Sequence, residues 1–161
     1  MPSLRKKYGL FEWIWWGFSL LLLLFILFPL RHELPLFPLL TANVLFVLLG
    51  FHYLRLAIWW RYTPLFFYKK WRIALGFAAI PSIFYFVNRI NDYIYYKDDG
   101  KVLQLFFDLP FDESVKKLNY LNNEFLFLGV TAVLAGIFFS LRMFWSAWQY
   151  RKWETEETDE F

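Results

Sequence analysis

The chain has 161 residues, 59% of them hydrophobic and 25% aromatic, with no cysteine and a formal net charge of +3. That length fits one domain, and that apolar content exceeds what a soluble fold of this size can hide, which places the chain among membrane proteins. The missing cysteine excludes disulfides, thiolate metal sites and a cysteine nucleophile, and the small net charge gives no basis for binding nucleic acid.

A helix rising about 1.5 Å per residue needs roughly 20 apolar residues to cross a hydrocarbon core about 30 Å thick. The first stretch that qualifies is 11–30, which contains SLLLLLFILFPL and is preceded by Arg5, Lys6 and Lys7. No small-residue cleavage site follows its apolar run, so it reads as a retained anchor and not as a removed signal peptide. The proline-broken link RHELPLFP then leads to a second span at 39–60, and spans three and four are predicted at 73–90 and 125–144. The expected fold is therefore an all-α integral membrane protein with a single four-helix domain over 1–150 and an acidic, disordered tail over 151–161.

Orientation follows from the basic residues. Arg5, Lys6 and Lys7 precede span one, Arg61, Lys69, Lys70 and Arg72 fill the link between spans two and three, and Arg151 and Lys152 follow span four. The positive-inside rule makes all three segments cytoplasmic, so both termini are expected inside and the site is the plasma membrane, the inner one in a bacterium. All nine tryptophans, from Trp13, Trp15 and Trp16 through Trp59, Trp60 and Trp71 to Trp145, Trp148 and Trp153, fall at those same ends. Indole favours the headgroup level because it joins an apolar body to one N–H donor.

Spans associate through close approach of small residues, since lipid gives apolar helices no incentive to meet. Gly129, Ala132, Gly136 and Ser140 share one face of span four at steps of three or four. Span three offers Ala74, Ala78 and Ser82, with Pro81 expected to bend it. Packing of span three on span four, or of span four on a partner, both fit these stripes.

The link over 91–124 is long enough to hold structure of its own. YIYYKDDGKVLQLFF sets Asp99-Gly100 between two runs rich in β-formers, the signal for a hairpin with Tyr96 beside Leu103 and Ile94 beside Leu105. After Pro110, FDESVKKLNYLNNE reads as a short helix capped by Asp112, with Val115, Leu118 and Leu121 on one side.

Polar groups inside apolar runs are the functional suspects. His52 lies thirteen residues into span two with Arg55 one turn further, which reads either as a proton-linked or anion-binding spot, or as a hydrogen-bonded histidine beside a snorkelling arginine. Glu12 at the inner edge of span one could pair with a base on that side. Arg89 and Asp92 close span three in FVNRIND; at about 27 Å from Trp71 they are expected at the outer edge of the membrane, the alternative being a partly buried pair in a tilted span. The only other histidine, His32, sits in the outer link, so the two do not match in depth as axial haem ligands, and neither has metal-ligand spacing. No cofactor or metal is expected. The chain has no glycine-rich phosphate loop, nucleophile elbow or zinc-protease motif, which points away from an enzyme, and the adjacent aspartates of KDDGK read as turn formers.

These features are read as a non-catalytic subunit or accessory protein of a larger membrane assembly, in contact with the bilayer and with a membrane-protein partner or further copies of itself. The alternatives are a sensory input module in which span four carries a signal inward, or a small oligomeric transporter, channel or lipid enzyme built around His52 and Arg55.

Overall fold

The computed structural model describes residues 2–59 and 69–159, with side chains over 9–59 and 73–149. Among the described residues there are five α-helices: α1 (Pro2–Leu27), α2 (Leu40–Trp59), α3 (Lys69–Asp98), the single turn α4 (Lys101–Gln104) and α5 (Phe111–Asp159). Two short 3-10 turns, Phe28–Leu30 and Leu34–Leu36, each carry a proline in their first residues and fold the link between α1 and α2. Pro fits there because the first N–H groups of a helix have no internal partner to lose. Four helices, α1, α2, α3 and α5, are long and apolar enough to cross a membrane.

The bundle is organised around α5, against which α2 and α3 pack along their lengths, while α1 lies chiefly on α2. The pairing of α3 with α5 has a regular cause. A side chain at Gly76 would meet Met143, one at Gly136 meets Ile83, and one at Gly129 meets Ile90, so each step of seven along α3 is matched by a step of seven back along α5. The fully covered residues Ala79, Phe86 and Tyr93 of α3 keep the same seven-residue interval. This is the seam of an antiparallel coiled coil, a 3.5-residue repeat that keeps one stripe of each helix facing the other. Ala74 and Ala78, expected on this stripe, are exposed; Gly76 and Ala79 occupy it instead. Ser82 does reach a neighbour, sharing a 2.7 Å hydrogen bond with the Tyr53 hydroxyl of α2 while its Oγ donates to the Ala79 carbonyl at 2.6 Å. Pro81 stands inside α3 without ending it.

Aromatic rings fill the space where the three core helices meet. Phe46 of α2 lies edge-on to Phe86 of α3 and Phe125 of α5 at 5.2 and 5.1 Å, and Tyr93 stacks on Phe125 at 4.3 Å. A smaller cluster of Ala57, Ala79, Phe139 and Met143 joins the same helices toward the end that carries the termini.

The outer link differs from the hairpin expected there. Among the described residues there is no strand, and α3 continues as helix through Ile94 and Tyr96 to Asp98. The reason lies in the seam, because Tyr93 is the next seven-residue position after Phe86 and its hydroxyl donates to Asn122 Oδ1 on α5. Burial on one stripe outweighs the β preference of tyrosine and isoleucine, which reflects packing context more than backbone choice. The Asp99-Gly100 pair does mark positive φ, with Gly100 at 72°, but there it ends a helix: the Gly100 N–H donates to the Lys97 carbonyl at 2.9 Å. Glycine is the usual residue at such a helix stop because it lacks the Cβ that would clash.

The short helix expected after Pro110 is not separate from span four either. It is the first part of α5, which runs unbroken for 49 residues. The Pro110 carbonyl accepts from the N–H groups of Glu113 and Ser114, so the helix begins at Phe111 and Asp112 lies inside its first turn instead of capping it. Carboxylates there face the positive end of the helix dipole. Leu121 is buried against the bundle, Leu118 partly so, and Val115 is exposed. Between the two helices, Val102 of α4 and Phe106 are each 1% exposed and close the end of the core remote from the termini. At the other end α5 runs on through 151–159, where the sequence reading has a disordered tail.

Candidate functional site

The groups with the greatest chemical potential lie between α1 and α2. Arg55, on the buried stripe of α2 with Asn43, Phe46, Val47 and Gly50, has a side chain only 1% exposed, and its Nη2 is ion-paired with Glu12 Oε1 of α1. Around this pair the two helices interlock through rings. Trp15 lies 5.5 Å from Phe51 and 5.6 Å from Trp59, with the Arg55 guanidinium 5.7 Å from its centroid, and Trp16 sits 4.0 Å from His52. Removing two charges from water is expensive, and the attraction between them offsets that cost only when both partners are held in place. Here the aromatic wall holds them.

Hydrogen bonding in the cluster is incomplete. Arg55 Nε and Nη1, both ring nitrogens of His52 and Trp15 Nε1 are buried without a partner. The sequence reading put His52 and Arg55 together as a candidate polar site; the structure brings Arg55 to Glu12 and His52 to Trp16, on adjacent turns of one helix face. An arginine, a carboxylate and a histidine in one apolar wall can exchange a proton or neutralise an anion. No three metal-ligating side chains gather among the described residues.

Arg89 and Asp92 also pair, Nη1 to Oδ2 at 2.9 Å, but across one turn of the same helix and with side chains 40% and 49% exposed. The Arg89 guanidinium lies over the Tyr85 ring at 5.1 Å. This is a local surface pair, worth at most about 1 kcal/mol. The chain does not leave its helix there, since α3 continues to Asp98.

The small-residue stripe of span four lands at the crossing of all three core helices. Gly129 faces Ile90 and Phe46, Ala132 faces Gly50 of α2, Gly136 faces Ile83 and Tyr53, and the Ser140 hydroxyl donates to the Gly76 carbonyl at 3.3 Å. Of the two packings left open by the sequence, the structure has α5 against α3, and it adds α2 to the same stripe.

Several polar contacts escaped the sequence reading. Asn43, fully buried at the start of α2, donates from Nδ2 to Glu124 Oε2 of α5 at 3.1 Å. Lys117 donates to Glu33 at 2.6 Å, and the Tyr120 hydroxyl donates to the Ile26 carbonyl at 2.7 Å, one of the carbonyls that a helix end leaves free. Together they fasten the link between α1 and α2 to the N-terminal half of α5. Asn43 could have been noticed, for it is the one amide inside span two and lies seven residues before Gly50 on the same face.

Comparison with known proteins adds no likeness: no family model, no curated protein and no solved structure matches the chain. What it does must be argued from its own geometry.

Proposed function

We propose that the chain is a non-catalytic subunit or accessory protein of a larger membrane assembly, with both termini in the cytoplasm and residues 91–124 on the opposite side. The carrying observation is the outer cap. From Gly129, level with Ile90, helix α5 extends eighteen residues back to Phe111, about 27 Å at helical rise. That distance takes it well past Arg89 and Asp92, where charged side chains are exposed. Joining α3 to α5 would need only a short loop. Instead the cap is built onto the end of the bundle core through Val102, Phe106 and Leu121, and it displays Tyr95, Phe107 and Phe111 at 72%, 69% and 80% exposure. Large aromatics held on a built scaffold beyond the apolar core suit the centre of a protein interface, where such side chains dominate binding energy. The interior supports the same reading, since the core between α2, α3 and α5 is filled by rings and small residues and the grooves open on the outside.

One observation favours a second reading, a sensory input module. Helix α5 is a single rod of 49 residues, about 73 Å long, that joins the cap to the opposite face. Binding at the cap could move its far end.

Native mass spectrometry of the full chain, extracted in mild detergent through a C-terminal tag, tests the proposal. A second protein at fixed stoichiometry is expected, and it should be lost when Phe107 and Phe111 are both replaced by serine. Recovery of the chain only by itself from its native membrane would sink the subunit reading and leave the sensory one.

A further inference from the structure

The outward face of α5 carries a feature that neither the charge pair nor the cap uses. Near the end of the apolar stretch, Phe138, Leu141, Arg142, Phe144, Trp145 and Trp148 line an open groove of about 690 Å³. Five of these six are apolar rings or a leucine. The sixth, Arg142, is exposed, and among the described residues no carboxylate pairs with it.

Its depth can be read from the helix register. Phe144 and Met143 lie against Gly76 of α3, and Arg142 is seventeen residues along α5 from Phe125, about 25 Å at helical rise. That span is close to the roughly 30 Å thickness of a hydrocarbon core, so the groove opens at the boundary between acyl chains and headgroups on the side of the termini. Trp145 and Trp148 meet edge to face at 5.4 Å and form one wall of the groove, both exposed. Antiparallel to them, the first turns of α3 bring the backbone of Lys69, Lys70 and Arg72 to the level of Trp148. A guanidinium at this depth, without a carboxylate partner among the described residues, takes its counter-charge from the surroundings. A planar fork of N–H donors matches a phosphate, and the apolar walls match an acyl chain.

We propose that this groove is a binding site for an anionic phospholipid of the leaflet that faces the termini, with the phosphate on Arg142 and an acyl chain along Phe138 and Leu141. Basic pockets at the cytoplasmic ends of spans select acidic headgroups by the same combination of charge and apolar wall. The inference is independent of the subunit reading, because it requires only the groove and the leaflet.

The test reads lipid retained by the full chain. The protein is purified into mild detergent with equal amounts of phosphatidylglycerol and phosphatidylcholine, and bound lipid is counted by native mass spectrometry. Wild type is expected to keep phosphatidylglycerol several-fold over phosphatidylcholine, and Arg142→Gln to bring the two near parity. Arg89→Gln, which removes an exposed cation at the other end of the bundle, should leave the preference intact. Should Arg142→Gln not purify, Trp148→Ala is read instead and is expected to lower the retention of both lipids. Equal retention by wild type, an unchanged preference in Arg142→Gln, unchanged retention in Trp148→Ala, or a protein seated in the groove in place of lipid would each overturn the proposal.

Discussion

Replacing Glu12 by glutamine is expected to loosen α1 from the bundle and to lower stability by about 2–3 kcal/mol. Breaking a buried pair by removing one partner costs roughly 3–5 kcal/mol, because the remaining charge stays out of water; the estimate is reduced here because Glu12 is 22% exposed and so gains less from its partner than a sealed carboxylate would. Among the described residues Arg55 has no second carboxylate to turn to, with Nε and Nη1 already unpartnered. Removing both charges together should cost less than removing one. The double variant Glu12→Leu, Arg55→Met puts apolar volume where the ions were, and such replacements are often neutral or stabilising. Thermal unfolding in detergent of the three proteins checks this. If Glu12→Gln melts with the wild type, the pair does not hold α1.

The second large effect is at the crossing of α2, α3 and α5. Gly136→Leu should disrupt the seam, because even a bare Cβ at Gly136 would stand 2.8 Å from Ile83 Cγ1, closer than real contacts allow, and leucine adds three carbons beyond it. Overpacking a filled core costs typically 1–3 kcal/mol, and here α3 and α5 would have to part along several turns. Gly17→Leu is the matched control, for nothing lies within 4 Å of its added carbon. A melting temperature that falls by several degrees for Gly136→Leu and stays put for Gly17→Leu is the expected pattern. Equal behaviour of the two would mean that the seam is not close-packed.

Much of this architecture is legible from the residues. Hydropathy marks four spans because a helix of about 20 apolar residues satisfies its own backbone in lipid, and the stripe of Gly129, Ala132, Gly136 and Ser140 marks the contact face of span four because small residues set how close helices come. Where the reading went astray, the cause is that local signals report local geometry. Asp99-Gly100 does signal positive φ, but the same φ closes a hairpin or stops a helix, and only the burial of Tyr93 seven residues after Phe86 decides between them. Helix length escaped for a related reason. Charged and amide residues after Ile90 and before Phe125 mark the end of apolar surface, yet the buried stripe of Phe86, Tyr93, Leu121 and Phe125 carries the pairing further. Partners across long separations, Glu12 with Arg55 or Asn43 with Glu124, depend on the register between helices, which no single segment encodes.

The proposed topology rests on which side of the membrane the cap faces. The chain has no cysteine, so a single one can be introduced without background. Asp99→Cys suits the purpose, since its side chain is 60% exposed and the substitution spares the positive φ of Gly100. In intact cells a membrane-impermeant thiol reagent should label Asp99→Cys at once, while a cysteine placed after Phe161 should react only once the membrane is opened. Labelling of the C-terminal cysteine in intact cells, with protection of Asp99→Cys, would contradict the account.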